Sequence, residues 1–387
     1  MTTPLYPLSP TPAPALTDEI TLQTTLDCLI EHLPIETQGY WSIETIFEML
    51  VHAASRGQSL EQTTRGLQGG PSSNDLRYHL NKYDDMAELQ SQLNTALQSR
   101  IPSGIRKGKQ RLAIDLNLIP YYGKVTPTAA PYLYRSRAQL GTCTFFAYAT
   151  AYVIRKDKRV TLAIHAVQQQ QTLVAIVTYL LATITPLHLR IKRLYLDRGF
   201  FCVPVIRWLQ ALDIPFLMPA IIRGKQAGTR ALLHGRNSYQ TSYTLRSQLY
   251  GNVDCTIQVV CTYRNGRRGQ HGIQYFAYVT HRVWMHFHTL HQDYRARFGI
   301  ETSYRLKNQC RIRTTTHNPI LRLLFVALAF ILVNLWVYLL WHFVCLIRPA
   351  PRLIYRRLFS LNQMSEFLVH AIEREFPPLQ AIFLPTN

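Results

Sequence analysis

The feature that most constrains this chain is a run of nineteen residues, Leu323 to Trp341, in which Asn334 is the only clearly polar side chain. A helix of that length can span a bilayer, and Arg322 and His342 flank the run as they would flank a membrane span. A helix that is apolar all round also suits the centre of a globular core. Because a single span would leave a strongly basic region on one side with no other membrane feature, we favour the buried core helix. Fractionation with and without detergent distinguishes the two alternatives.

Positive charge is concentrated in the later part of the chain. Residues 101–365 carry 36 Lys and Arg and only seven acidic residues, a net charge of +29 against +20 for the whole chain. Residues 1–100 have a net charge of −7. A surface that needs only solubility mixes both signs, so this distribution favours a polyanionic partner. It also leaves a short list of acids for specific work: Asp115, Asp157, Asp197, Asp213, Asp254, Asp293 and Glu301.

Length and cysteine usage limit the class of protein. With 387 residues the chain can bury a full core and is predicted to form two or three domains. Its seven cysteines are scattered and include no Cys-x2-Cys pair, which favours reduced thiols in the cytoplasm over a disulfide framework. The N-terminus has no basic segment followed by an apolar core, so we expect no secretory signal.

The first hundred residues divide into a leader and a helical region. Residues 1–19 are rich in Pro and Thr and are predicted to be a disordered leader. Residues 20–100 predict an α-helical N-terminal domain, with one helix from Ser42 to Arg56 and a capping box at Ser59 that begins a short second helix. A third helix is predicted to begin at Ser72 or Ser73, after the Gly69-Gly70-Pro71 break. This order resembles a helix-turn-helix with Arg77 and Lys82 as DNA contacts, but the −7 charge leaves a packing or dimerisation domain as an open alternative.

The remaining chain predicts an α/β protein. After a basic linker at 101–109, the strands near 111–119, 143–154 and 159–167 are followed by helix, strand, helix and strand up to residue 217. That order is typical of a ribonuclease-H-like mixed sheet with flanking helices. We therefore assign residues 101–221 to the first part of this core and 222–290 to a β-rich insertion. Residues 291–347 would complete the core with the apolar helix, and 348–387 predict a C-terminal helical tail.

Two acids sit where neighbouring strands of such a core would bring them together. Asp115 lies in the middle of the first strand, and Asp197 directly follows the buried strand that ends at Leu196. Carboxylates shared between adjacent strands suit Mg²⁺, and two such ions can activate a nucleophile and stabilise charge in phosphodiester cleavage. Either Asp alone could instead cap a helix.

A third acid lies on a predicted helix with a regular polar face. Tyr294, Arg297, Glu301, Arg305 and Asn308 are spaced by three or four residues, which places all five on one side of a continuous helix. Such a cationic and aromatic stripe around one carboxylate suits a helix that lies on a DNA backbone. A solvated face with incidental charge pairs is the alternative.

Three segments carry a family resemblance. The stretch YRARFGIETSYRLKN resembles the Tyr-x2-Arg-x3-Glu-x6-Lys signature of DDE-type insertion-sequence transposases. AIDLNLIPYYGK and LYLDRGFF resemble the first-Asp and second-Asp segments of that family, so the resemblance covers roughly residues 110–345. It implies that Asp115, Asp197 and Glu301 form a triad that holds two Mg²⁺ ions, for which Mn²⁺ would substitute. It also implies that Tyr294 and Arg297 contact DNA phosphates.

One position departs from the signature. Asn308 stands where the family has Lys, and Lys307 points about 120° away from Glu301 around a helix. Arg305, one turn beyond Glu301, is the better substitute for that DNA contact. Trp284 is a further candidate that could stack on an unpaired base at a cleaved end, although we favour a core position for it.

The resemblance implies a function as well as a fold. The chain would be a transposase that binds the terminal inverted repeats of its insertion sequence and catalyses metal-dependent DNA cleavage and strand transfer. Its partners would be the double-stranded DNA of the transposon ends and target, with a homodimer in the synaptic complex and a cytoplasmic, nucleoid-associated location. A catalytically inactive, transposase-derived DNA-binding protein is the alternative, supported by Asn308.

Overall fold

The computed structural model describes residues 11–155, 159–265, 271–347 and 352–381. Its first part is helical, as the sequence predicts. The elements of this part are β1 (Thr11–Pro12), α1 (Asp18–His32), α2 (Ile43–Arg56), α3 (Leu60–Gly66), α4 (Ser73–Leu80) and α5 (Met86–Ser99). The predicted disorder of the leader is wrong for residues 11–19, because Thr11 and Pro12 pair with a later strand and α1 begins at Asp18. Residues 1–10 lie outside the described part.

Local capping chemistry sets the ends of these helices. Ser42 caps α2 by accepting a hydrogen bond from the Thr45 N–H, and Gly57 ends it with φ at 60°. That left-handed conformation is one that glycine adopts without a steric cost. Capping boxes begin α3 at Ser59 and α4 at Ser72. The predicted start signals of these three helices are confirmed.

The central part of the chain forms a mixed α/β layer. Its elements are β2 (Lys109–Pro120), β3 (Leu133–Gln139), β4 (Thr142–Val153), β5 (Thr161–Ala166), α6 (Leu173–Ile184), β6 (Arg190–Leu196), α7 (Val203–Ala211) and β7 (Phe216–Pro219). Five strands lie in the order β5-β4-β2-β6-β7, with β2 antiparallel to β4 and parallel to β6. The three predicted strands and the following helix, strand, helix and strand are present in that order, but the prediction missed β3, which pairs antiparallel with β4.

The β-rich segment extends this sheet. Its strands are β8 (Tyr239–Ser247), β9 (Gly251–Asn265) and β10 (His271–His281), and β10 pairs antiparallel with β7. Within the described residues the result is one sheet of nine strands. The segment that the sequence predicts as an insertion is thus continuous with the core through backbone hydrogen bonds.

The last part of the chain is mainly helical. It consists of α8 (Phe287–Arg295), α9 (Gly299–Gln309), α10 (Pro319–His342), β11 (Cys345–Ile347), β12 (Leu353–Ile354) and α11 (Leu361–Glu375). The C-terminal helix α11 packs on α1 and α2. There the Glu373 carboxylate lies 3.1 Å from His52 Nε2 and 3.2 Å from Arg56 Nη2. The tail thus joins the N-terminal helices instead of standing alone.

Helix α10 contains the apolar run and is the central helix of the molecule. It is long and apolar enough to cross a bilayer, yet 94% of its most apolar window is buried by the rest of the protein. Fully burying each large apolar side chain contributes about 1.5–3 kcal/mol. Asn334, the one polar residue in the run, donates from Nδ2 to the carbonyls of Thr161 and Leu97 and accepts from the Thr161 N–H. A buried amide with these partners fits a protein core, which is the alternative that we favoured.

Helix α5 covers the free edge of β5 with amide side chains. Asn94 exchanges two hydrogen bonds with the backbone of Ile164, at 2.7 and 3.1 Å. Gln90 and Gln98, one turn to either side, bond to the backbone of Ala166 and Leu162. The match is geometric, because four helical residues advance about 6 Å and two strand residues advance about 6.6 Å. These contacts satisfy an edge that would otherwise be unpaired and attach the N-terminal helices to the sheet.

Candidate active site

The three candidate acids come from three separate elements. Asp115 lies within β2, Asp197 directly follows β6, and Glu301 lies in the first turn of α9. Strands β2 and β6 are parallel neighbours, with Ile114 opposite Leu196. The residue after each of these therefore stands at the same level of the sheet. The predicted proximity of the two aspartates follows from this register.

A single guanidinium joins all three carboxylates. Arg297 Nη1 lies 3.0 Å from Asp115 Oδ2, and Arg297 Nη2 lies 3.3 Å from Asp197 Oδ1 and 3.5 Å from Glu301 Oε1. Because Asp197 Oδ1 and Glu301 Oε1 both lie close to Arg297 Nη2, the separation of these two oxygens cannot exceed the sum of the two distances. The three acids, far apart in sequence, thus meet around one positive charge.

The three carboxylates have different environments. The Asp115 side chain is only 16% exposed, whereas those of Asp197 and Glu301 are 43% exposed. Burial raises the pKa of Asp115 to about 6, with the Arg297 charge opposing the shift and the Asp197 charge adding to it. The cluster is therefore closed on the side of the sheet and open to solvent on the side of Asp197 and Glu301.

The donor set suits a hard divalent cation. Carboxylate oxygens are the protein ligands that Mg²⁺ prefers, and the half-exposed pair leaves room for water and phosphate. Within the described ranges, no three His, Cys, Asp or Glu side chains are already close enough to form a metal cluster. The reason is local, since the Arg297 guanidinium stands among the acids and is only 7% exposed. The three carboxylates are suitable ligands for a metal ion, which would have to replace the Arg297 guanidinium among them.

The helix that carries Glu301 is interrupted, contrary to the sequence prediction. Helix α8 ends at Arg295, a 3₁₀ turn covers Ala296–Phe298, and α9 begins at Gly299. The predicted single polar face over Tyr294, Arg297, Glu301, Arg305 and Asn308 is therefore wrong, because the helical phase changes at the turn. Arg305 and Asn308 are exposed on α9, whereas Tyr294 and Arg297 are each only 6% exposed.

Tyr294 has an internal role in this conformation. Its hydroxyl donates to the carbonyl of Leu196, the residue before Asp197, and its ring centroid lies 5.5 Å from the Arg297 guanidinium carbon. It thus supports both the second acid and the central cation. In these positions neither Tyr294 nor Arg297 reaches a DNA phosphate, and their direct contacts with DNA stay predictions that require a rearrangement.

Sequence reasoning gave no role to Asp293, which organises the approach to the site. Its carboxylate accepts hydrogen bonds from Arg111, at 2.9 Å, and from Arg193 and Tyr195. These three partners lie on β2 and β6, so the contacts attach α8 to both strands that carry the aspartates. The signal that could have identified Asp293 is its place among seven acids in a basic region, next to Tyr294.

A second contact outside the sequence prediction fixes α9. The Tyr304 hydroxyl lies 2.8 Å from Thr150 Oγ1, and Thr150 pairs with Asp115 across β4 and β2. Tyr304 lies three residues after Glu301 on α9. This hydrogen bond therefore fixes the distance between Glu301 and the sheet. Two independent attachments, at Asp293 and Tyr304, therefore position the third acid.

The other predicted site residues lie away from the acids. Trp284 is 87% exposed, so its core alternative is wrong and its surface is free for stacking. Lys307 is fully buried, which agrees with its exclusion as the signature cation. Arg77 is exposed and pairs with Glu61 at 3.3 Å, and Lys82 donates to the Glu36 carbonyl at 2.7 Å. Both belong to the acidic N-terminal region, and their contact with DNA stays a prediction.

Comparison with known proteins agrees with this geometry. The family model described as the transposase DDE domain matches residues 108–335. Among solved structures, the chain is similar to piggyBac transposase in a cryo-EM structure of its synaptic complex with hairpin DNA. That similarity has 10% sequence identity and a TM-score of 0.56, and covers 94% of this chain and 82% of the other. A comparison with curated proteins gives no match.

The family match and the strand order agree on one assignment. The order β5-β4-β2-β6-β7, with its antiparallel first half and parallel second half, confirms the predicted ribonuclease-H-like fold. The matched residues contain all three candidate acids. The chain therefore belongs to the transposase DDE domain family.

Proposed function

We propose that the chain binds the terminal inverted repeats of its own mobile element and catalyses metal-dependent DNA cleavage followed by strand transfer. The observation that carries the proposal is the meeting of Asp115, Asp197 and Glu301 around one cation, in a cluster that is open to solvent on the side of Asp197 and Glu301. Three carboxylates that lie close together, with their charge partly neutralised by the Arg297 guanidinium, suit a site that binds divalent ions when it binds its substrate.

The three acids would act together in that chemistry, and Arg297 and Asp293 would assist them. Asp115, Asp197 and Glu301 would hold two Mg²⁺ ions, or Mn²⁺ in their place, which supply an activated water or 3′-hydroxyl and stabilise charge at the phosphorus. Asp115 has to be deprotonated to bind, and its pKa of about 6 makes that favourable at neutral pH. Arg297 would leave the acids and become available to a phosphate. Asp293 would hold α8 in place during this exchange.

The partner we propose is double-stranded DNA, both at the transposon ends and at the target. The net charge of +29 over residues 101–365 supports a polyanion, since neutralised phosphates release counterions. Exposed Trp284 supplies a stacking surface, and exposed Arg305 supplies a cation one turn of α9 from Glu301. The similar piggyBac structure is a synaptic complex with hairpin DNA. We also propose a homodimer on DNA, because synapsis brings two transposon ends together, and a cytoplasmic, nucleoid-associated location.

A catalytically inactive DNA-binding descendant is the second candidate. It is favoured by Asn308, which is exposed where the family signature has a cation, while Lys307 is buried and cannot replace it. Arg305 supports the active alternative, because it is exposed on α9 one turn from Glu301.

Cleavage of DNA that carries the element's terminal repeats tests the proposal. We expect Mg²⁺- or Mn²⁺-dependent nicking by the wild type and a loss of at least about 100-fold in Asp115→Asn, Asp197→Asn and Glu301→Gln, with end binding kept. Asp213→Asn is a matched control, because Asp213 is a half-exposed acid with φ at 55°, a conformation that Asn tolerates. If a triad variant cleaves DNA normally, the replaced residue is not part of the active site. If neither the wild type nor any variant cleaves DNA, the inactive descendant is favoured.

A further inference from the structure

A cavity lies at the C-terminal end of β2, the strand that carries Asp115. We call it the Arg311–Arg322 pocket, and it is lined among others by Tyr121, Tyr148, Arg311, His317 and Arg322. Its volume is about 500 Å³, within the size range of pockets that hold small ligands. No Asp or Glu is among the described residues that line it.

The two arginines in this pocket have no acidic counterpart. Within the described part of the chain, neither Arg311 nor Arg322 forms an ion pair with a carboxylate. Burial lowers the pKa of both guanidinium groups, and the Arg311 charge lowers that of Arg322 further. Arg322 is 9% exposed and is held by a hydrogen bond of 2.6 Å from Nε to the Thr316 carbonyl. Two like charges that line one partly buried cavity without a carboxylate favour the binding of an anion there.

A buried hydroxyl in the same pocket also lacks a partner. Tyr148 is 1% exposed, and its Oη is buried without a hydrogen bond to any described residue. Tyr148 lines the same cavity as Arg311 and Arg322. A buried O–H without a partner is destabilising, whereas an anion between the arginines would accept its hydrogen bond.

The sheet sets the position of the pocket relative to the acids. Tyr148 pairs with Asn117, and Thr150 pairs with Asp115, across β4 and β2. Because alternate residues share a face, Tyr148 lies on the same face as Asp115 and about 7 Å further along the strands. The pocket therefore continues the surface on which a DNA strand would lie if its scissile phosphate were at the triad.

We propose that the Arg311–Arg322 pocket is a second phosphate site, which binds a backbone phosphate of the DNA strand a short distance from the one at the triad. The shared chemistry is a phosphate held by two guanidinium groups and a tyrosine hydroxyl, as charge-assisted hydrogen bonds favour. The assignment of that phosphate to DNA rests on the proposed function. The cavity has room for the attached sugar, and Tyr122 at the rim is 70% exposed and could meet its base.

The first test uses inorganic phosphate and the full chain. Thermal unfolding is measured in phosphate and in chloride at equal ionic strength, for the wild type, Arg311→Gln and Tyr148→Phe. We expect phosphate to raise the wild-type Tm, with phosphate affinity about tenfold weaker in Arg311→Gln and about fivefold weaker in Tyr148→Phe. Tyr148→Phe should fold normally, because it removes a hydroxyl that has no partner. Arg313→Gln, an exposed arginine two residues away, is the matched control and should respond as the wild type does.

The second test identifies the source of the phosphate. Binding of a short DNA oligonucleotide is measured over a range of salt concentrations, and we expect Arg311→Gln to reduce the slope of log affinity against log salt by about one. An unchanged slope with loss of the phosphate effect would mean a site for free phosphate and would overturn the DNA assignment. If phosphate did not raise the Tm of the wild type, or raised the Tm of the variants by as much, the proposal of a phosphate site in this pocket would be overturned. Neither readout uses cleavage, so triad-dependent nicking judges the proposed function separately.

Discussion

Replacing Arg297 by Gln tests whether this guanidinium stands in for a metal among the three acids. The substitution removes a cation that lies 3.0 to 3.5 Å from the three carboxylates. Removing one partner of a buried ion pair costs about 3–5 kcal/mol, and the Asp115 side chain is buried enough for that range to apply. The other two pairs involve half-exposed acids and add little. In EDTA we therefore expect Arg297→Gln to lose about 3 kcal/mol of unfolding free energy.

Divalent cations should reverse that loss. With the guanidinium gone, three carboxylates face each other without a counter-charge, so Mg²⁺ meets no competitor for them. A ligand at 100 times its Kd stabilises the folded state by about 2.7 kcal/mol. We expect millimolar Mg²⁺ to restore most of the stability of Arg297→Gln and to stabilise the wild type less.

The assay is urea unfolding with and without Mg²⁺, and the controls follow from the site. Arg305→Gln removes an exposed cation one turn from Glu301 and should change neither stability nor metal response. Adding Asp115→Asn to Arg297→Gln should remove the gain from Mg²⁺, since a ligand is lost. If Arg297→Gln were as stable as the wild type in EDTA, or gained no more from Mg²⁺, the exchange of one cation for another would be refuted.

Three further predictions concern the core, the surface and pH. Asn334→Leu makes the apolar run fully apolar, yet we expect it to lower the unfolding free energy by about 2–5 kcal/mol in denaturant titrations. The reason is that the backbone N–H and C=O of Thr161 lose their hydrogen bonds to the Asn334 side chain. An unchanged unfolding free energy would contradict the buried role of Asn334. Trp284→Ala should leave Tm unchanged and weaken binding to DNA ends about tenfold or more in a mobility-shift assay, since the ring is 87% exposed and stacking contributes about 1–3 kcal/mol; equal binding would exclude stacking. Burial lowers the pKa of Lys307 to about 7, below its value in the unfolded chain, so its penalty is complete below pH 7 and disappears as the pH rises towards 10. Wild-type stability should therefore gain about 1.4 kcal/mol per pH unit from this group across that window, and Lys307→Met should be more stable at pH 7 with a flatter profile; parallel profiles would refute the assignment.

Local signals in the sequence predicted much of the fold. The caps at Ser42, Ser59 and Ser72 are set by residues three positions apart, and strand periodicity located the central strands and with them Asp115 and Asp197. The chemistry of the cluster could also be anticipated, because few acids occur in a basic region. Each of these signals depends on neighbours in sequence.

Contacts between distant residues could not be read in the same way. At the break between α8 and α9, beside Gly299, Tyr294 and Arg297 are buried against the carbonyl of Leu196 on β6 and the carboxylate of Asp115 on β2. The partners of Asp293 lie on two strands about 100 and 182 positions earlier. The amides that cover the edge of β5 likewise lie about 70 residues from their partners. Long-range contacts of this kind decide which polar side chains face inward.

A structure of the chain with Mn²⁺, located by its anomalous scattering, tests the central claim most directly. We expect the ion within about 2.3 Å of carboxylate oxygens from Asp115 and at least one of Asp197 and Glu301, with Arg297 moved out of the cluster. Manganese bound elsewhere, with the three carboxylates still on the guanidinium at saturating metal, would contradict the account.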